Sequence, residues 1–383
     1  MKYPLFKVHI NSDHALGLIK KVLDSGYINE GEQVTEFQEQ LKKYLKVENL
    51  VLLNSCTSAL TVALKLCGVG PGDEVITTAM TCVATNTPVV NLGAKIIWAD
   101  IDSSTGSISP EDIKRKITPR TKTILYVNWA GTPAQIEEIY EIARQHKIYV
   151  VQDAAHAFAA TWNDKPISDF ADFTCYSFQA IKHLSTGDGG ALIVKDSEKF
   201  KLARKLKWFG YDRDEAKDEK GEWKGQRWSA DIKPGEVGFK FNMNNIAAAI
   251  GISQMKSIDE ILLKHRTNAA IYRKIFSNSK QINNLVIPQQ ANSSYWVYTC
   301  LVNSNSKVRD LLLEKLNLEG IGAGLVHLPN DIYSAFKEFN IELPGTRDFE
   351  ERQISLPCGW WISEEECEEI AIRVLDLLGT LVE

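Results

Sequence analysis

Several marks of metalloenzymes and secreted proteins are missing from this chain. Its seven cysteines, at 56, 67, 82, 175, 300, 358 and 367, form no CxxC pair. An odd, scattered set fits reduced thiols in the cytosol better than a disulfide framework. HExxH, the Walker loop and the spaced Cys/His zinc patterns are also missing, and the histidines are few and dispersed, so no metal site is expected. No GxGxxG turn follows the first strand candidate, which argues against a nicotinamide-binding Rossmann domain. No apolar run is long enough to span a bilayer, and the start, "MKYPLFKVHINSDHALGLIKK", lacks the uninterrupted apolar core of a signal peptide. The net charge is −5 with no long basic run, so neither nucleic acid nor an anionic membrane is expected as a partner. A cytoplasmic protein is the expectation.

What is present is an alternation of helices and strands. The 383 residues exceed one compact domain on usual priors. In "EQVTEFQEQLKKYLK" (32–46), Val34, Phe37, Leu41 and Leu45 recur at helical spacing. "NLVLLN" (49–54), "DEVITTA" (73–79), "AKIIWADI" (94–101), "TKTILYVNW" (121–129), "KIYVVQDAA" (147–155) and "GALIVKD" (190–196) read as buried strands. With helices between them, they predict an α/β fold with a largely parallel sheet covered on both faces. Residues 211–235, charged and carrying two tryptophans, read as an excursion from the core. "FNMNNIAAAIGISQMKSIDEILLKHRTNAAIYRKIF" reads as a long helix, broken or continuous, leading to a region of short strands and helices. A boundary near 255 separates a large domain, 1–255, from a smaller one, 256–383.

The chemistry gathers around Lys182, which follows an apolar strand-like run and precedes the small-residue turn "STGDGG" (185–190). An ammonium in such a setting has a movable pKa and serves as nucleophile or proton carrier. "NSCTSAL" (54–60) places the hydroxyls of Ser55, Thr57 and Ser58 at a strand-to-helix turn, where free N–H groups attract an anion. An ordinary N-cap would look the same. Asp153 ends a buried strand, where open α/β sheets bind ligands, although a helix N-cap also fits there. His156, three residues on, suits packing or a ligand. Ser177 precedes the lysine. A phosphate site, a carboxylate and a shielded amine together suit pyridoxal 5′-phosphate, whose phosphate, pyridinium nitrogen and aldehyde need those three partners.

The run "SFQAIKHLSTGDGG" resembles the lysine motif of the DegT/StrS family, the sugar aminotransferases of aspartate-aminotransferase fold type I. "GYINEGEQVTEFQEQLKKYL", "NSCTSAL", "GDEVITTAMTCVATNTPVV", "QDAAHA", "GFKFNMNNIAAAIGISQM", "HLPNDIY" and "QISLPCGWWISEEECEEIA" resemble further blocks in the family's order, so the likeness covers nearly the whole chain. It implies a large cofactor-binding domain with a mostly parallel seven-stranded sheet between helices, and a smaller α+β C-terminal domain. Lys182 would carry the cofactor and shuttle protons, and Asp153 would pair with the pyridine nitrogen. His156 would lie near the ring hydroxyl, while Thr57, Ser58 and Ser177 would hold the phosphate. Lys240 or Asn242 would reach into a neighbouring subunit's site, which implies a homodimer with active sites at the interface. Cys56 stands where the family usually has Gly, and Cys82 where an aromatic usually stacks on the cofactor.

The same resemblance implies transfer of an amino group from L-glutamate to a nucleotide-diphosphate-linked keto sugar, such as a 4-keto-6-deoxyhexose. A sugar 3-dehydratase, a keto-cyclitol aminotransferase and a silent cofactor-binding regulator are the rivals. Relatives that remove a hydroxyl replace the lysine with histidine; here His183 falls one position later. Arg213, Lys224 and Arg227 could pair with the diphosphate, and Trp223 or Trp228 could stack on base or sugar. A solvated surface hairpin explains that segment equally. Tyr27 and His327 are further candidates on the substrate side.

Overall fold

The structure, a computed structural model, describes residues 1–212 and 232–382. Strands β1 (Leu50–Leu53), β2 (Glu74–Thr77), β3 (Lys95–Trp98), β4 (Thr121–Val127), β5 (Tyr149–Asp153), β6 (Phe173–Ser177) and β7 (Gly190–Val194) form one sheet. Its order is β1-β7-β6-β5-β4-β2-β3, and β7 alone runs against its neighbours. Two core layers explain the unbroken apolar runs. On β4, Ile124 and Tyr126 enter one layer and Leu125 the other; on β5, Val150 and Val151 divide the same way. Side chains alternate across a strand, so a strand buried on both faces must be apolar throughout.

Helix α1 (Glu32–Leu45) buries Val34, Phe37, Leu41 and Leu45, the set its spacing predicts. Helix α2 (Cys56–Leu66) starts directly after β1 and packs on the opposite layer. The long helical stretch is two helices, α3 (Asn245–Met255) and α4 (Ile258–Phe276), interrupted at Lys256 and Ser257. Downstream, β8 (Ile282–Asn284), β9 (Tyr298–Val302) and β10 (Gln353–Leu356) form an antiparallel sheet in the order β8-β9-β10. This sheet shares a core with α4 and α5 (Glu364–Val382). Tyr3 joins that core and pairs with Ile321, so the first residues of the chain lie against its C-terminal part. No helix among the described residues is long and apolar enough to cross a membrane.

The register sets the position of the site. Asp153 pairs with Val127 and Cys175, and Gly190 pairs with both Leu53 and Ser177. The carboxyl ends of β1, β4, β5 and β6 therefore meet at one edge, above which the chain reverses between Ser177 and Gly190. Phe178 N–H bonds Gly189 O at 2.8 Å and Thr186 N–H bonds Phe178 O at 2.9 Å, closing that reversal. Gly190 is needed because a Cβ there would come within 2.6 Å of Cys56 N. The lysine loop thus seats directly on the N-terminus of α2.

Candidate active site

A cavity of about 330 Å³ opens at this edge, lined among others by Ser55, Thr57, Cys56, Cys82, Asp153, His156, Ser177, Lys182, Trp296 and His327. Its floor is Asp153, buried and held by three donors. Thr85 Oγ donates to Oδ2 at 2.7 Å, Ala155 N to Oδ1 at 3.0 Å, and Cys56 Sγ lies 3.9 Å from Oδ1. Burial pushes the Asp153 carboxyl above its usual range, against the pull of Thr85, Ala155 and Lys182. Burial also lowers the Lys182 ammonium to about 8, with the Asp153 charge opposing. A lysine at that value is partly neutral near physiological pH and can accept or give up a proton there.

The anion end follows from helix capping. Ser55 Oγ accepts the Ser58 N–H at 3.1 Å as N-cap of α2, leaving further N–H groups of the first turn at the cavity. Thr57 and Ser177 also face it. Ser58 does not: its hydroxyl turns inward, donating to Asn54 Oδ1 at 2.6 Å. The Cys56 side chain points to Asp153. Burial raises the Cys56 and Cys82 thiols, which disfavours the reactive thiolate.

Imidazoles and an indole form the far wall. His156 Nε2 lies 3.4 Å from His327 Nε2, and the His156 ring stacks on Trp296 with centroids 4.0 Å apart. Burial and the Lys182 charge lower His327 to about 3, and burial lowers His156 as well. Both shifts favour the neutral imidazoles. His156 Nδ1 is buried without a hydrogen-bond partner among the described residues.

Other candidates lie apart from the cavity. Lys240 Nζ donates to Asn242 Oδ1 and sits 4.1 Å from the Trp208 ring centroid. Tyr27 O accepts from Asn245 Nδ2 at 2.8 Å, and the Tyr27 side chain is exposed. Arg213, Trp223 and Arg227, with Lys224 and Trp228, lie outside the described residues. Thr85 and Trp296 line or support the site with no role drawn from the sequence. Thr85 stands one helical turn beyond Cys82, and that spacing could have pointed to it. Trp296 had no local signal.

The site therefore brings a lysine, a buried carboxylate and a helix N-terminus together on a doubly covered α/β sheet. The chain belongs to the DegT/DnrJ/EryC1/StrS aminotransferase family, matching it over residues 10–375. It is 31% identical over 378 residues to UDP-4-amino-4-deoxy-L-arabinose–oxoglutarate aminotransferase of Shewanella sediminis, with 95% of each chain covered. Among solved structures it is similar to a sugar aminotransferase of Micromonospora echinospora, at a TM-score of 0.89 and 29% identity, covering 97% of this chain and 99% of that one. PseC of Helicobacter pylori, an aminotransferase involved in the biosynthesis of pseudoaminic acid, gives 0.89 and 26%, covering 99% and 100%. The family's enzymes are pyridoxal 5′-phosphate-dependent sugar aminotransferases, which sets the reaction type and the cofactor.

The residues present fit that cofactor. Asp153 offers a carboxylate whose three partners are neutral donors, so it can still accept from a protonated ring nitrogen. The unpartnered His156 Nδ1 offers a further polar contact. Ser55, Thr57, Ser177 and the first turn of α2 supply donors for a phosphate.

Proposed function

We propose that this chain transfers an amino group from L-glutamate to a nucleotide-diphosphate-linked keto sugar, such as a 4-keto-6-deoxyhexose, with Lys182 as the residue that carries the cofactor and moves the proton. The observation that carries the reading is the meeting of Lys182, Asp153 and the α2 N-terminus in one cavity. The similarity to the Shewanella enzyme, an aminotransferase that couples a UDP-linked amino sugar with oxoglutarate, supports the substrate class and the donor.

When bound, pyridoxal phosphate supplies an electrophilic carbon and a sink for the electron pair left as a proton departs the donor's α-carbon. Lys182 Nζ would hold that carbon between turnovers. Once displaced, it would take the proton from one carbon and return it to another, a task that its lowered pKa of about 8 suits. Asp153 would accept a hydrogen bond from the protonated ring nitrogen and, as an anion in a dry site, keep that proton in place. Ser55, Thr57, Ser177 and the N–H groups of α2 would anchor the phosphate. His156 would meet the ring hydroxyl, with Cys82 against the ring face.

On this reading residues 1–255 form the cofactor domain and 256–383 the smaller domain. Two chains would pair so that Lys240 or Asn242 of each completes the other's site. Tyr27 and His327 would face the sugar, and Arg213, Arg227 and Trp223 the nucleotide diphosphate. The test is a panel of nucleotide-linked keto sugars incubated with the enzyme and glutamate, with product masses read. An amino sugar plus oxoglutarate is the expected outcome. A deoxy sugar without an amine, or no product from any member while another donor–acceptor pair turns over, would replace this reading.

A further inference from the structure

Lys182 Nζ lies 3.4 Å from the centroid of the Trp296 ring, and among the described residues no hydrogen bond or ion pair to Nζ accompanies that contact. The indole is buried and held from several sides. Its Nε1–H donates to Ile181 O at 2.8 Å, and its backbone N–H to Ala130 O at 2.8 Å. Its ring is stacked with His156 at 4.0 Å and with Phe6 at 4.8 Å. On the other side of the lysine, His183 donates Nε2–H to Ser294 O at 3.0 Å. Both chain neighbours of Lys182 are thus fastened to the turn that carries Trp296, and the indole cannot move independently of the lysine's own backbone.

We propose that the Trp296 ring is the resting place of the Lys182 ammonium whenever its nitrogen is not bonded to the cofactor, which makes Trp296 a positioning residue for the transfer. The proposal rests on the reading of Lys182 given above. An indole face is the strongest aromatic partner for a cation, and it attracts more when water is excluded. It stabilises the charged amine without fixing it in an ion pair. The amine therefore stays within reach of the reacting carbons and can still lose its proton. A carboxylate in direct contact would hold the proton more tightly.

The enzyme loaded with pyridoxamine 5′-phosphate carries a free amine at position 182. Competitive acetylation of that holoenzyme from about pH 6 to 10, read on the Lys182 peptide by mass spectrometry, gives the midpoint of that amine, which burial lowers to about 8. Trp296→Leu is expected to lower the midpoint by about one pH unit, and Trp296→Phe by about half as much. Protein grown with difluorotryptophan keeps the shape but weakens the ring's negative face, and its midpoint should fall as well. This arm stands even where Trp296→Leu fails to fold. The other titratable groups around Nζ, namely Asp153, Cys56, Cys82, His156, His183 and His327, are the same in every arm. A residue that only packed would alter cofactor content and leave the midpoint alone. An unchanged midpoint in the fluorinated protein and in Trp296→Phe overturns the proposal. The parent assignment fails separately, if Lys182→Ala still holds the cofactor covalently.

Discussion

The floor and the far wall of the cavity are built on different principles. Asp153, Cys56, Ser177 and Lys182 sit at strand ends or one loop away, inside a single sheet whose register places them within a few residues of each other in space. Trp296 and His327 come from beyond residue 290: the 293–296 turn is bonded to Ala130, Gly131, Ile181 and His183, and His327 O accepts from Gln353 Nε2. The floor is set by sheet geometry, which resists displacement. The wall is set by a handful of hydrogen bonds across the molecule. Binding and bond-making should therefore divide between the two, with chemistry concentrated on the floor and orientation on the wall.

The sharpest separation comes from Lys182→Ala. The variant should fold, since the side chain opens on the cavity and its loop is held by backbone bonds such as Phe178 N–H to Gly189 O. It should lose the absorbance of covalently held cofactor, and its turnover should drop by about 10²–10⁴-fold or more. Near-normal turnover would remove the floor from the chemistry. A step below it is Thr85→Val, which deletes one donor to the buried Asp153 carboxylate while keeping shape. A bond of this charged kind contributes about 1.5–3 kcal/mol, so a loss of roughly tenfold or more in turnover is expected. The sign of its pH effect also follows. Burial already raises the Asp153 carboxyl, and Thr85 holds it down. Without Thr85 the carboxyl protonates at higher pH, so the acidic limb of the rate profile should move upward. A limb that stays in place would show that Thr85 merely packs.

The same division decides what the sequence could reveal. Lys182 and Asp153 were legible because each lies in a short local motif at a strand end. The strands were legible because burial on both faces demands unbroken apolar runs. The orientation of each hydroxyl at the anion site was not legible. Which hydroxyl faces the cavity depends on capping geometry: Ser55 takes the Ser58 N–H, and Ser58 then turns to Asn54. Thr85 lies within "GDEVITTAMTCVATNTPVV", but its bond to Asp153 spans 68 residues. Trp296 meets Ile181 across 115 residues, from within the region of short strands and helices near the chain's end. Long-range closure of this kind leaves no periodicity or spacing to find.

The smallest effect is expected at the wall. In His327→Ala, the lost contacts are one hydrogen bond between imidazoles, His327 Nε2 to His156 Nε2 at 3.4 Å, and the ring contacts with His156, Trp129 and Trp296. Such a bond contributes about 0.5–1.5 kcal/mol, so a severalfold rise in KM for the keto sugar is expected. Cofactor absorbance should not change, because no floor residue is touched. The pH profile should not change either. Burial and the Lys182 charge hold His327 near 3, so the imidazole is neutral throughout the working range and its removal deletes no titrating group. A shifted limb, or loss of cofactor absorbance, would mean that His327 belongs with Asp153 in the chemistry, and the division between floor and wall would then fail at its weakest point.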